Sequence, residues 1–111
     1  GASPEVLLLR KRHGRDFVAA FQRALGELDA REKTLLRLTY LDKLSVDDVG
    51  RVYGVHRATA ARWVASASAT KLKRTRMHLV GTLSLTGAEV DSLIDSVKDQ
   101  LDVSLNRLLR D

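Results

Sequence analysis

The chain has 111 residues and a net charge of +5, with 44% hydrophobic and 30% charged residues, a balance that suits one folded domain and excludes intrinsic disorder. No apolar run is long enough to span a bilayer, no signal peptide is visible, and the lack of cysteine excludes disulfides and thiolate chemistry, which fits a cytoplasmic setting. One proline and seven glycines amid abundant Ala, Leu, Arg and Lys predict an all-α helical bundle.

The chain opens Gly1-Ala2-Ser3 without an initiator methionine, which points to one domain cut from a longer protein. Ser3-Pro4-Glu5 is a helix start, a capping serine followed by proline at the first helical position. It predicts a short helix through Val6-Leu7-Leu8-Leu9 that stops near His13-Gly14, so residues 1–14 are expected to be a linker. Phe17, Val18, Phe21, Leu25 and Leu28 recur at three- and four-residue spacing, the mark of an amphipathic helix. Asp29 and Glu32 form an acidic capping box opening the next helix. That helix carries Leu35, Leu36, Leu38, Tyr40 and Leu41 and ends around Asp42-Lys43-Leu44.

Ser45 and Asp48 are expected to cap the following helix reciprocally. Val46, Val49, Val52 and Tyr53 line it, and Gly54 closes it with a left-handed backbone. A longer helix starts at Arg57, runs at least through Lys71-Leu72-Lys73, and is expected to reach Met77 or Leu79 before Gly81 interrupts it. Thr86 and Glu89 form another capping box. Behind it Val90, Leu93, Ile94, Val97, Leu101, Leu105 and Leu108 make one apolar stripe, with Asp91, Asp95, Asp99 and Asp102 on a different face. Residues 15–80 then form the main domain, and residues 81–111 a C-terminal helical extension packing on it.

Charge is concentrated in the middle of the chain. Residues 45–78 hold seven basic side chains (Arg51, Arg57, Arg62, Lys71, Lys73, Arg74 and Arg76) against Asp47 and Asp48. Residues 79–111 hold three basic against six acidic. Such a local excess attracts a polyanion, although a solvated helix face has the same composition.

Within that basic stretch the spacing fits a helix-turn-helix from Ser45 to Ser68. Two helices crossing steeply through a short turn need a small residue where they touch, a glycine in the turn, and apolar residues beneath the second helix. Val49, Gly50, Tyr53, Gly54, Val55, Ala60 and Trp63 or Val64 meet those needs. Gly50 is otherwise costly, since a mid-helix glycine loses about 1 kcal/mol against alanine. The outer face of the second helix offers His56, Arg57, Ala58, Thr59, Ala61, Arg62, Ala65 and Ser66. Arg57 and Arg62 can read guanine bidentately or clamp phosphates. Thr59 and Ser66 support them, and Lys71, Lys73, Arg74 and Arg76 either extend the electrostatic footprint or solvate the helix end. The candidate DNA-binding set is Arg57, Thr59, Ala61, Arg62, Ser66, Lys71 and Lys73.

His13, His56 and His78 are too scattered for a metal site and read as surface or capping residues. No carboxylate pair lies in apolar sequence, so acid–base catalysis has no foothold. Neither an enzyme nor a cofactor is indicated. The phase of Trp63 turns it toward the core rather than toward a base.

Residues 29–72, with Leu28, Arg31, Glu32, Leu35, Leu36 and Leu38 ahead of the motif, resemble region 4 of bacterial sigma factors. The likeness is to the small extracytoplasmic-function type, in a variant common among myxobacteria. The resemblance implies binding of the promoter −35 element in duplex DNA, docking on the β flap of the RNA polymerase core, and a possible anti-sigma partner, with no role for a membrane. It departs from that pattern where Ser66-Ala67-Ser68 replaces an Arg-x-Arg and where Ala61 and Ala65 replace bulkier contacts. Two other readings fit the same residues. One is a protein-interaction module in which the C-terminal stripe docks a partner helix or a second copy. The other is a helix-turn-helix output domain of another transcription regulator.

Overall fold

The computed structural model describes residues 3–97, and within them every regular element is helical. Helix α1 spans Pro4–Gly26, α2 Ala30–Leu36, α3 Val46–Tyr53, α4 Arg57–Thr82 and α5 Gly87–Val97. The expected break at His13-Gly14 does not occur. Glycine weakens a helix without forbidding it, and tertiary burial supplies most helical stability in a folded protein. Leu9 before Gly14 and Phe17, Ala20, Phe21 and Leu25 after it all pack on one core, which carries α1 through the glycine. The same reason extends α4 past its expected end to Thr82, because Leu79 is fully buried beside Gly81.

The predicted caps of α2 and α5 form. The Glu32 amide donates to Asp29 Oδ1 (2.7 Å) and the Asp29 amide to Glu32 Oε1 (2.9 Å). Thr86 and Glu89 repeat the exchange at 3.1 and 2.9 Å. At α3 only half of the expected pair forms. The Asp48 amide donates to Ser45 Oγ (3.1 Å), but the Asp48 carboxylate turns to Arg51 Nη1 at 2.6 Å instead of reaching back. Between α2 and α3 the helix widens to a π turn over Arg37–Leu41 and ends on Lys43 with φ 56°.

Two clusters of buried side chains hold these elements. The larger joins α1, α4 and α5 through Phe17, Phe21, Leu25, Leu79, Val90 and Leu93, with Leu36. The smaller lies under the predicted motif and consists of Leu35, Val49 and Ala60, flanked by Tyr53, Val55, Trp63 and Val64. The consecutive leucines Leu35 and Leu36 divide between the clusters, so α2 couples the motif to the rest of the domain. Val90 and Leu93 are fully buried and Ile94 and Val97 pack beside them, so this part of the C-terminal stripe is core. Leu101, Leu105 and Leu108, with Asp99 and Asp102, lie outside the described residues. No helix among the described residues is long and apolar enough to cross a membrane.

Candidate nucleic-acid interface

The turn between α3 and α4 is Gly54-Val55-His56, and two backbone bonds define its path. The Gly54 amide donates to the Arg51 carbonyl (3.3 Å) and the Val55 amide to the Gly50 carbonyl (2.9 Å). This paired closure needs a left-handed residue just past the helix, and Gly54 supplies it with φ 66°. The turn folds back on α3 at Gly50. A Cβ on Gly50 would stand 2.8 Å from the Val55 carbonyl oxygen and 3.7 Å from Arg57 Cα. The small residue is therefore what brings the start of α4 against α3.

His56 caps α4. Its Nδ1 accepts from the Ala58 amide at 3.0 Å, which satisfies one of the free donors at the helix start. Beneath α4, Ala60 is fully buried. Trp63 meets Tyr53 edge-to-face, with ring centroids 5.7 Å apart, and is covered by the Arg31 guanidinium at 4.2 Å. Trp63 is thus committed to protein contacts, as its phase on the helix implied. The sequence places Arg31 in the family pattern without a stacking role, because that stacking depends on α2 crossing α4.

The open face of α4 carries most of the candidate set. Arg57, Arg62 and Ser66 are exposed, and Thr59 and Ala61 are half-buried between them. Arg62 Nη2 donates to Thr59 Oγ1 at 3.2 Å, which holds its long side chain along the helix. Arg57 Nε lies 3.1 Å from Asp47 Oδ1 on α3. Lys73 is exposed two turns beyond Ser66. Lys71 does not join them, which corrects its place in the candidate set. It is 5% exposed, and its ammonium lies 4.9 Å from the centre of the Tyr40 ring. The tyrosine hydroxyl is in turn 3.4 Å from Ser68 Oγ. Arg76 also turns away, bound to Asp91 Oδ1 of α5 at 2.7 Å.

Two helices joined by a three-residue turn, with an exposed arginine-bearing second helix, define a helix-turn-helix DNA-binding domain. Residues 24–66 match the family model for sigma-70, region 4. That family is a DNA-binding part of the transcription-initiation machinery rather than a family of enzymes. No curated protein and no solved structure matches the chain.

Proposed function

We propose that this domain reads the promoter −35 element as part of a sigma factor that directs RNA polymerase to initiate transcription. The first turns of α4 enter the major groove. Arg57 and Arg62 donate to guanine O6 and N7, Thr59 and Ser66 add hydrogen bonds, and the small Ala61 allows close approach of the helix. Lys73 neutralises backbone phosphate. The remaining surface docks on the β flap of the polymerase core. The observation that carries this reading is the match of residues 24–66 to sigma-70 region 4, which coincides with the open face of α4.

Selection of bound duplexes from a random pool, followed by band-shift titration, tests it. The Arg62→Ala variant is expected to lose preference at one base pair, worth about 1–3 kcal/mol of discrimination. Equal loss on every sequence would make Arg62 a phosphate contact instead. Affinity should also fall steeply with salt, because each neutralised phosphate releases counterions. A flat salt response would sink the DNA-binding proposal.

A further inference from the structure

Asp47 was not part of the candidate set, yet it is the carboxylate that holds Arg57. The reason lies in Gly50. Because Gly50 has no side chain, Arg57 Cα sits directly over α3, and Asp47 occupies the same face one turn earlier. The Arg57 side chain runs back along α3, and its Nε reaches Asp47 Oδ1 at 3.1 Å. Both side chains are more than half exposed, at 66% and 54%, so the pair stands at the surface that would face DNA. The contact is made through Nε of the guanidinium. The next residue, Asp48, pairs instead with Arg51 of its own helix, through Nη1 at 2.6 Å.

We propose that Asp47 is a specificity-determining residue of the DNA interface, acting as a positioning partner that turns Arg57 from a phosphate clamp into a base reader. The inference rests on the −35 reading above. A guanidinium already paired with a carboxylate carries little net charge, so its pull on a distant phosphate is weak. Its directional donors remain, and guanine O6 and N7 are neutral acceptors that do not compete with Asp47 for charge. The carboxylate also repels any phosphate that approaches Arg57. Asp47 therefore taxes sequence-independent binding while leaving the guanine contact intact, a use of repulsion to obtain specificity. This matters on a reading face in which Ala58, Ala61 and Ala65 supply no competing donors.

The test compares wild type with Asp47→Asn, Arg57→Ala and the double variant, using duplexes selected from a random pool and duplexes of scrambled sequence. Thermal melting checks folding, and Asp47→Ser serves if the Asn variant melts early. Asp47→Asn is expected to bind scrambled duplex about two- to fivefold more tightly, the range of one exposed ion pair. Selection with it should lose its preference for guanine at a single position. In the Arg57→Ala background the same change should leave the selected sequence unaltered. Equal gains on selected and scrambled duplex, or an unchanged gain without Arg57, would overturn the proposal and leave Asp47 as plain charge repulsion. A wild type that selects a sequence while Asp47→Asn selects the same one overturns this inference alone. A wild type that selects no sequence overturns the −35 reading as well.

Discussion

Gly50 and Gly54, four residues apart, are needed for different physical reasons, and substitution separates them. Gly54 needs backbone freedom, since its φ is 66° while nothing lies within 4 Å of a Cβ there. Gly50 needs space, since a Cβ would meet a backbone carbonyl oxygen at 2.8 Å that cannot rotate away. Gly50→Ala is therefore expected to force α3 from α4 and to cost about 1–3 kcal/mol in denaturant unfolding, in the manner of overpacked cores. It should also weaken DNA binding beyond what the stability loss accounts for, because Arg57 moves with the start of α4. An unchanged unfolding midpoint would show that the turn can relax around the methyl group. Lys43 presents the opposite case. It holds a left-handed conformation, φ 56°, that favours glycine, and its side chain is exposed. Lys43→Gly should stabilise the protein by up to about 1 kcal/mol, read as a higher melting temperature, with DNA affinity nearly unchanged.

At the scale of elements, most of what the sequence displayed locally is what the structure contains. The capping pairs Asp29–Glu32 and Thr86–Glu89 are three residues apart, so a short string suffices to recognise them. Gly50, Gly54 and the apolar positions of α3 and α4 obey a fixed spacing and are legible for the same reason. Apart from the Ser45–Asp48 box, where Asp48 turns to Arg51 three residues on, the failures concern contacts between residues distant in sequence. Nothing near His13-Gly14 shows that Leu9 and Phe17 share one core, so α1 reads as interrupted there. Nothing near Lys71 shows that Tyr40 lies beneath it, so a buried lysine reads as a DNA contact. Asp47 and Arg57 meet only after the turn has folded. The continuity of α1 yields its own prediction. Gly14 has open space around a would-be Cβ, so Gly14→Ala should stabilise α1 by about 0.5–1 kcal/mol. The expected readout is a raised denaturant midpoint with an unchanged slope. A loss of stability would mean that the helix bends at Gly14 and that the bend matters.

Across the whole molecule, the contacts that tie distant segments together lie away from the reading face. Glu27 at the end of α1 is hydrogen-bonded to the His78 ring of α4 at 2.6 Å, and Arg76 of α4 is bound to Asp91 of α5. The bond with His78 holds the Glu27 carboxyl below its ordinary value of 4.5, with smaller help from the charges of His78, Arg74 and Arg23. The Thr86 amide and hydroxyl do the same for Glu89 at the start of α5. Depressed carboxyls stabilise the folded state only while they are ionised. That stabilisation is complete above about pH 4.5 and is lost as the pH falls through the lowered folded-state values. Melting temperature should therefore be level with respect to these two groups near neutrality and decline below about pH 4.5. Glu27→Gln and Glu89→Gln should each melt lower at pH 7 and show a shallower decline in acid, since each has one proton-linked contact fewer to lose. The general acid effect of growing positive charge on a chain already at +5 remains in both variants, which makes the difference in slope the diagnostic quantity. If Glu27→Gln keeps the wild-type slope, the His78 bond does not hold α1 to α4 in solution. If it flattens the slope, the two ends of the fold are joined by a contact that acid removes while the glycines and apolar residues that shape the helix-turn-helix do not titrate.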